Sequence, residues 1–334
     1  MFDNLFQQEK TGSKTNYPPP VELKNGLINN TWIYRGFLIQ KINQNIFKNV
    51  DVINQNYYKL QNHLKRNSNI RIPKLLEEAG VWRRFEYIPS KTFLKPENDN
   101  MAFKTAFSFG KFQEAFLDMP LNEIKETIPD FHNAESRIYQ LENAITSNIK
   151  SRITTKIQEK ANEALKEKNL LGMLSKQMLN CEKRIVHYDT KISNILFDKN
   201  NNAKAIIDLD TTMPGFIFFD YGDMIRSMST KGNEDEIKVD EIKVSTNMFQ
   251  AITEGYLSAV GDWITPIERS SLLKGAMYIV FENSIRFLTD HINGDVYFKV
   301  SRKNQNLHRF IAQYKLYKEL KENFEKYQKI IFSI

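Results

Sequence analysis

The eight residues from His187 to Asn194, in the spacing H-x-D-x-K-x-x-N, carry side chains whose chemistry suits phosphoryl transfer. That reaction needs an oxygen acceptor for the proton of the attacking hydroxyl, positive charge on the γ-phosphate and hard oxygen ligands for Mg²⁺. In this spacing Asp189 is expected to be the base, Lys191 to reach the γ-phosphate and Asn194 to offer its amide oxygen to the metal. His187 is interpreted as a buried histidine that orients the loop backbone rather than as a chemical group.

A second metal ligand follows this loop. Residues 195–207 have the pattern of two short apolar strands joined by a polar turn, which predicts a β-hairpin. Such a hairpin would place Asp208 beside Asn194, so that both hold Mg²⁺. Asp210 would lie on the same strand face as Asp208 if the extended conformation continues. It is expected to be a further metal ligand, a group that accepts hydrogen bonds from the metal's other ligands, or a contact to the substrate that receives the phosphate.

Longer stretches of the chain resemble the aminoglycoside phosphotransferase and choline kinase superfamily, and within it most closely the N-acetylhexosamine 1-kinases. The resemblance extends from about residue 21 to about residue 320. The segments that carry it are 26–31, 44–47, 109–113, 187–194, 207–215, 219–226, 285–288 and 294–298. It implies a bilobal α+β protein-kinase-like fold, with a small β-rich N-lobe and a large helical C-lobe, and it implies ATP as co-substrate with Mg²⁺.

The same resemblance divides the chain and suggests roles for further residues. It implies an N-terminal tail at 1–20, an N-lobe at 21–88 and a C-lobe at 89–334 that carries the substrate site. Asp220 or Asp223 is expected to support the catalytic loop without touching substrate.

Substrate recognition is expected to fall to Arg286 and Tyr297, which match the sugar-contacting arginine and tyrosine of the N-acetylhexosamine 1-kinases. A guanidinium offers a planar fork of donors to sugar hydroxyls and to an acetamide carbonyl. The alternative for Arg286 is an ion pair with Glu282 or Asp290 on its own helix. Leu27 stands where those kinases have a histidine, so the preferred sugar is expected to differ.

The small lobe departs from the protein-kinase pattern in its phosphate contacts. Residues 26–40 predict a β-hairpin, with Asn29 and Thr31 in the loop that would cover the nucleotide. Strand alternation puts Gln40 where protein kinases have a phosphate-binding lysine, and Lys41 comes one residue later. Either Lys41 reaches the phosphates through a bulge or neutral Gln40 makes a weaker contact.

The helix and strand that follow complete the expected N-lobe. Residues 48–65 have helical spacing but no glutamate, so the usual partner of the strand lysine is missing. Residues 81–87 read as a strand, and Glu86 and Ile88 then occupy the place of a hinge whose backbone would bind adenine. An ordinary strand end is the alternative for this segment.

Length and composition exclude several other classes of protein. With 334 residues, 41% of them hydrophobic, the chain can bury a core for two lobes. It has no apolar run long enough to span a membrane and no secretory leader, and Cys181 is its only cysteine, so a cytoplasmic location is expected. The net charge of +7 is scattered along the chain rather than concentrated in a stripe, which argues against a nucleic-acid partner.

Beyond residue 100 the apolar spacing is helical except at the catalytic hairpin. Helices are predicted at 101–116, 138–168, 248–260, 270–291 and 307–331.

Three functions remain open at this level. The first is phosphorylation of the anomeric 1-hydroxyl of an N-acetylhexosamine or related hexose. The second is a kinase of another hydroxyl substrate, such as an aminoglycoside, an amino alcohol or a homoserine-like molecule. The third is a nucleotide-binding pseudokinase, which is disfavoured because Asp189, Asn194 and Asp208 are all present. The particular sugar, the pathway and the oligomeric state are not specified by the sequence.

Overall fold

The structure, a computed structural model, describes residues 18–23, 28–67, 70–168, 171–172, 176 and 180–334. Most of the expected tail at 1–20 lies outside these residues, and so does Leu27 with the departure that it represents.

The small lobe is a five-stranded antiparallel sheet in the order β1-β2-β3-β5-β4, with one helix packed beside it. Its strands are β1 (Val21–Leu23), β2 (Asn30–Tyr34), β3 (Phe37–Lys41), β4 (Leu75–Ala79) and β5 (Trp82–Glu86), and its helix is α1 (Val50–Asn67). The turn between β2 and β3 uses Arg35 at φ 50° and Gly36 at φ 74°. Two successive residues in the left-handed region give the turn whose twist matches that of a hairpin.

The large lobe is helical around two small β-ladders. Its helices are α2 (Asp99–Glu114), α3 (Ala134–Ser147), α4 (Thr155–Leu165), α5 (Ile217–Met228), α6 (Thr246–Val260), α7 (Pro266–Asn293), α8 (Gln305–Glu322) and α9 (Phe324–Ser333). Its strands are β6 (Arg184–Val186), β7 (Ile195–Phe197), β8 (Ala203–Ile206) and β9 (Met213–Gly215). In the ladders β6 pairs with β9 and β7 pairs with β8, all antiparallel. The predicted α+β fold with a small sheet lobe and a large helical lobe is confirmed.

One apolar core runs through both lobes and fixes the floor of the cleft between them. Tyr57 and Leu60 of α1 and Phe85 of β5 belong to the same buried cluster as Phe109 and Phe112 of α2. Since protein interiors are close-packed, this shared core restricts relative movement of the elements that carry the site.

Two predicted helices are wrong in their extent. The single helix at 138–168 is two helices, because Asn148 closes α3 in the left-handed conformation at φ 37° and the side chain of Thr154 caps α4. The helix at 307–331 is interrupted at Asn323, whose side-chain amide donates to the carbonyl oxygen of Glu319 at 3.0 Å. Side-chain hydrogen bonds of this kind compete with the regular helical pattern.

None of the helices in the described ranges has the length and apolar character needed to cross a membrane.

Candidate active site

The catalytic loop follows β6 and is held by one buried carboxylate. Asp220 of α5 accepts hydrogen bonds from the backbone N–H of His187 at 2.9 Å and of Tyr188 at 2.7 Å, and from the side chain of Gln113 at 2.7 Å. Tyr188 is in the left-handed conformation at φ 68°, a strained state for a bulky residue. The bonds that Asp220 accepts from Tyr188 and from the residue before it explain how the turn before Asp189 is maintained.

Asp189 lies in the loop with two hydrogen-bond donors on one carboxylate oxygen. The Lys191 ammonium nitrogen and the Asn194 amide nitrogen are each 2.8 Å from its Oδ2. Burial opposes ionisation, but Lys191 and the other donors outweigh it and lower the pKa of Asp189. Asp189 is therefore ionised at neutral pH and can accept a proton, which is the property that a base in this position needs.

His187 connects the catalytic loop to the following hairpin. It is fully buried, and its Nδ1 accepts a hydrogen bond from the backbone N–H of Asp189 at 3.2 Å. With Nδ1 as acceptor, the proton is assigned to Nε2, which donates to the carbonyl oxygen of Ile207 at 3.0 Å. Burial lowers the pKa of His187, which favours this neutral form. Both ring nitrogens thus bond to the backbone, as an orienting role would require.

The β7–β8 hairpin brings Asn194 and Asp208 to the same end of the ladder. The backbone N–H of Ile207 donates to the carbonyl oxygen of Asn194 at 2.9 Å, and the next residue, Asp208, turns into the cleft at φ 66°. Because the Asn194 amide nitrogen is committed to Asp189, its amide oxygen is the atom that can ligate a metal.

The chemistry of this donor set fits Mg²⁺. Although Asp208 is open to solvent, the cleft walls around its carboxyl and the nearby charges of Asp189 and Asp210 raise its pKa to about 7. A divalent cation would relieve that repulsion. Among the residues that the structure describes, no three His, Cys, Asp or Glu side chains form a metal site by themselves. Asn194 and Asp208 would therefore hold Mg²⁺ together with phosphate oxygens, which is how Mg²⁺ is bound in many phosphoryl-transfer sites.

Asp210 has a different environment from the one predicted. Residues 209–211 form a 3₁₀ turn, so the extended conformation does not continue and Asp210 does not share a strand face with Asp208. Its Oδ2 accepts hydrogen bonds from Arg83 and from the Asn29 side chain, both at 2.7 Å. Asp210 joins the loop before β2 to the β5 strand and to the segment after β8.

Arg83 of β5 is a buried residue of the site that the sequence analysis did not identify. In the β3–β5 ladder Gln40 pairs directly with Arg83, so that the two side chains lie on the same face of the sheet. The guanidinium of Arg83 donates to the side-chain oxygen of Gln40 and to Asp210. Lys41 is exposed, with its ammonium 5.4 Å from the ring centroid of Trp82, and the register of β2 and β3 contains no bulge. The bulge that would bring Lys41 to the phosphates is therefore absent. The position of Arg83 beside Gln40 depends on the antiparallel register of β3 and β5, which the sequence does not show.

The remaining nucleotide-side residues lie along the cleft edge of the small lobe. Thr31 pairs with Gln40 across β2 and β3. Glu86 ends β5, and its side chain forms an ion pair with Arg71, so its contribution to a hinge would come from the backbone. Ile88 is buried against the β7–β8 hairpin, which connects the hinge region to the catalytic loop.

Asp223 is part of a charge network on the large-lobe side of the loop. Its Oδ1 accepts a hydrogen bond from Arg226 at 2.7 Å, and Arg226 also pairs with Glu234. Burial opposes ionisation of Glu234, but Arg226 and Arg309 lower its pKa, with a smaller contribution from Lys191. The backbone bonds that hold the catalytic loop go to Asp220, and no such bond to the Asp223 side chain occurs among the described residues.

Arg286 and Tyr297 are neighbours, as the predicted substrate pair requires. An Nη of Arg286 lies 3.3 Å from the Tyr297 hydroxyl, and its guanidinium lies 5.2 Å from the ring centroid of Phe131. The Phe131 ring is in turn 5.7 Å from that of Tyr188, the residue before Asp189. The ion pair of Arg286 with Glu282, the alternative from sequence, is also present but long at 3.9 Å.

Solved structures with a similar fold include aminoglycoside phosphotransferases and choline kinases. Choline kinase from Cryptosporidium parvum is 14% identical with a TM-score of 0.61, over 97% of this chain and 94% of that one. The aminoglycoside phosphotransferase from Alicyclobacillus acidocaldarius is 10% identical with a TM-score of 0.62, over 94% and 93%. The GDP complex of wild-type aminoglycoside 2′-phosphotransferase-IIIa is 11% identical with a TM-score of 0.58, over 93% and 95%.

The fold and the loop together define a kinase-like phosphotransferase. Residues 55–242, more than half of the chain, match the model of the phosphotransferase enzyme family (APH), and the protein belongs to that family. It is therefore a small-molecule phosphotransferase with a hydroxyl group as acceptor.

Proposed function

We propose that this protein transfers the γ-phosphate of ATP, with Mg²⁺, to the anomeric 1-hydroxyl of an N-acetylhexosamine or related hexose. ATP would bind in the cleft between the N-lobe at 21–88 and the C-lobe at 89–334. The enzyme would be cytoplasmic, where ATP is the usual phosphoryl donor. The single observation that carries the proposal is that the wall formed by Arg286, Tyr297 and Phe131 meets the catalytic loop, with the Phe131 ring 5.7 Å from that of Tyr188, the residue before Asp189.

Each catalytic role follows from a contact. Asp189 would accept the proton of the attacking hydroxyl, since its carboxylate is held ionised and positioned by Lys191 and Asn194. Burial opposes the charge of Lys191, but Asp189 and Asp208 raise its pKa, so it stays cationic and can stabilise negative charge on the transferred group. Mg²⁺, when bound by Asn194 and Asp208, would neutralise the charge of the phosphates.

The charges around the acceptor wall favour a neutral, hydroxyl-rich substrate over a polycation. Two buried carboxylates there are already engaged: Asp223 pairs with Arg226, and Glu282 contacts His132 and pairs with Arg137 and Arg286. An aminoglycoside needs acidic groups that are available to its ammonium groups. Arg286 and the Tyr297 hydroxyl instead offer donors to sugar hydroxyls and an acetamide carbonyl.

A screen of acceptors tests this function. The thermal stability of the protein would be measured with AMP-PNP and Mg²⁺ and a panel of monosaccharides, aminoglycosides and amino alcohols. Phosphorus NMR would then identify the product formed with ATP. We expect a hexosamine to stabilise the protein and to yield a sugar 1-phosphate, and we expect the Asp189→Asn variant to show the same stabilisation with little product. Phosphorylation of an aminoglycoside or amino alcohol alone, or ATP binding without turnover on any acceptor, would refute the proposal.

A further inference from the structure

Arg83 is a buried arginine whose ion pair with Asp210 uses only one nitrogen of its guanidinium. It is 1% exposed and lies beside Gln40 on the face of the sheet from which its guanidinium reaches Asp210 of the large lobe. Its Nη2 makes both of its hydrogen bonds, to Gln40 and to Asp210, while its Nε and Nη1 are buried without a hydrogen-bond partner. Unsatisfied buried donors are costly, because they lose their hydrogen bonds to water without a replacement. Donors in this state need a partner such as a water, an ion or a ligand.

Arg83 also lies beside the position at which protein kinases have a phosphate-binding lysine. Gln40 stands where alternation expects the strand lysine, and α1 contains no glutamate to pair with such a lysine. Lys41 is on the other face of β3, and Arg84, next to Arg83, pairs with Glu77 on that side of the sheet. In the described part of the small lobe, Arg83 is therefore the cation that the β3–β5 pair directs toward Asp210 and the metal ligands.

We propose, as an inference that rests on the proposed function, that Arg83 is the phosphate-binding cation of this protein. Gln40 orients its guanidinium across the strand pair, and Asp210 holds it at the cleft through Nη2. Nε and Nη1 then supply two donors to phosphate oxygens of the nucleotide. A guanidinium fork binds phosphate in a bidentate manner that a lysine ammonium does not reproduce. The small lobe thus uses an arginine from β5, paired with a carboxylate of the large lobe, in place of a lysine on β3.

Nucleotide binding, measured without turnover, tests this role. The dissociation constants of AMP-PNP and of adenosine would be measured by calorimetry and by ligand-observed NMR, in Mg²⁺ and in EDTA. For Arg83→Gln we expect AMP-PNP to bind about 10- to 100-fold more weakly, because charge-assisted hydrogen bonds are lost, while adenosine changes by less than about twofold. Arg83→Lys, which keeps the charge without the fork, should lie between wild type and Arg83→Gln. Arg84→Met, the adjacent arginine on the opposite face, is the matched control and should leave both constants unchanged.

The outcomes separate the inference from the function on which it rests. Equal AMP-PNP affinity for wild type and Arg83→Gln, or a parallel loss of AMP-PNP and adenosine binding, overturns the role of Arg83. Failure of the wild-type protein to bind AMP-PNP with Mg²⁺ overturns the proposed function instead. If Arg83→Gln does not fold, the double variant Arg83→Gln/Asp210→Asn leaves no unpaired buried carboxylate. It would be compared with Asp210→Asn in EDTA, where the same selective loss of AMP-PNP binding is expected.

Discussion

The polar groups of the catalytic loop come from eight consecutive residues, whereas those that face them from the small lobe come from separate strands and from a turn of the other lobe. Asp189, Lys191 and Asn194 contact one another within a single loop. Gln40, Arg83 and Asp210 are far apart in the chain and meet through sheet register and lobe packing. The first group forms within one loop, which Asp220 and Ile207 support from outside, and the second exists only when three elements are in place. We therefore expect substitutions in the loop to act on the chemical step and substitutions in the small-lobe cluster to act on nucleotide binding.

The largest effect is expected from removal of the metal ligand at the end of the hairpin. Asp208→Ala should lower turnover by roughly three orders of magnitude or more at any Mg²⁺ concentration, because the charge of the phosphates is no longer neutralised. Steady-state kinetics over a Mg²⁺ titration would measure it. Asp198→Ala, in the exposed turn of the same hairpin, is the control and should stay near wild type. Recovery of wild-type activity by the Asp208 variant at high Mg²⁺ would contradict the assignment.

Loss of the base should come next. Asp189→Asn should lower turnover by roughly two to four orders of magnitude, the usual contribution of a positioned acid or base. Binding of AMP-PNP should change little, since the fold and the support from Asp220 remain. Turnover above a tenth of wild type would exclude Asp189 as the base.

On the acceptor side a smaller and selective effect is expected. Arg286→Lys should raise the KM for the sugar by about tenfold or more, because the ammonium cannot reproduce the planar fork of donors. The KM for ATP should stay within a few-fold, since the change lies on the large-lobe wall. An equal rise in both KM values would indicate a general defect of folding and argue against a substrate contact.

Glu282 gives a pH-dependent prediction about stability rather than chemistry. Burial opposes its ionisation, but His132, Arg286 and Arg137 lower the pKa of Glu282 to about 2. A carboxylate whose folded pKa is below its unfolded value of 4.5 stabilises the fold above that pH, and the contribution is lost as pH falls toward about 2. Glu282→Gln should lower the free energy of unfolding at pH 7 by about 3–5 kcal/mol.

Chemical denaturation of the wild type and Glu282→Gln between pH 7 and pH 3 would measure that difference. It should shrink as the pH falls below about 4.5, where the wild-type carboxylate gradually loses its advantage. Glu142→Gln, at a half-buried position of α3 where the carboxylate forms a long surface ion pair with Lys168, should show no comparable difference at any pH. A gap between Glu282→Gln and wild type that is constant over the whole range would rule out this origin.

The smallest effect is expected at Lys41, and it sharpens the contrast with Arg83. Lys41→Met should change the KM for ATP by less than about twofold, because an exposed lysine over an aromatic ring contributes little. A tenfold rise in the KM for ATP would show that Lys41 reaches the phosphates after all.

Local patterns in the sequence predicted much of this protein. The hairpin after the catalytic loop and the β2–β3 hairpin follow from apolar spacing and turn residues, whereas the bilobal kinase-like arrangement was implied by the family resemblance. Helix ends were less predictable. Asn148 and Asn323 stop helices through backbone conformation and side-chain hydrogen bonds, and apolar periodicity contains no signal for either.

The sequence by itself determined the residues of the catalytic loop, since eight consecutive positions can contact one another only in a few ways. It also determined that a lysine–glutamate pair is missing from the small lobe. Tertiary structure alone decided that Arg83 takes the place beside Gln40, because the register of two strands pairs residues that are 43 positions apart in the chain. It likewise decided that Asp210 turns away from Asp208, because a buried guanidinium and the Asn29 amide bind its carboxylate. Charges that meet across strands and lobes depend on packing, and the residue spacing within a single segment does not predict that packing.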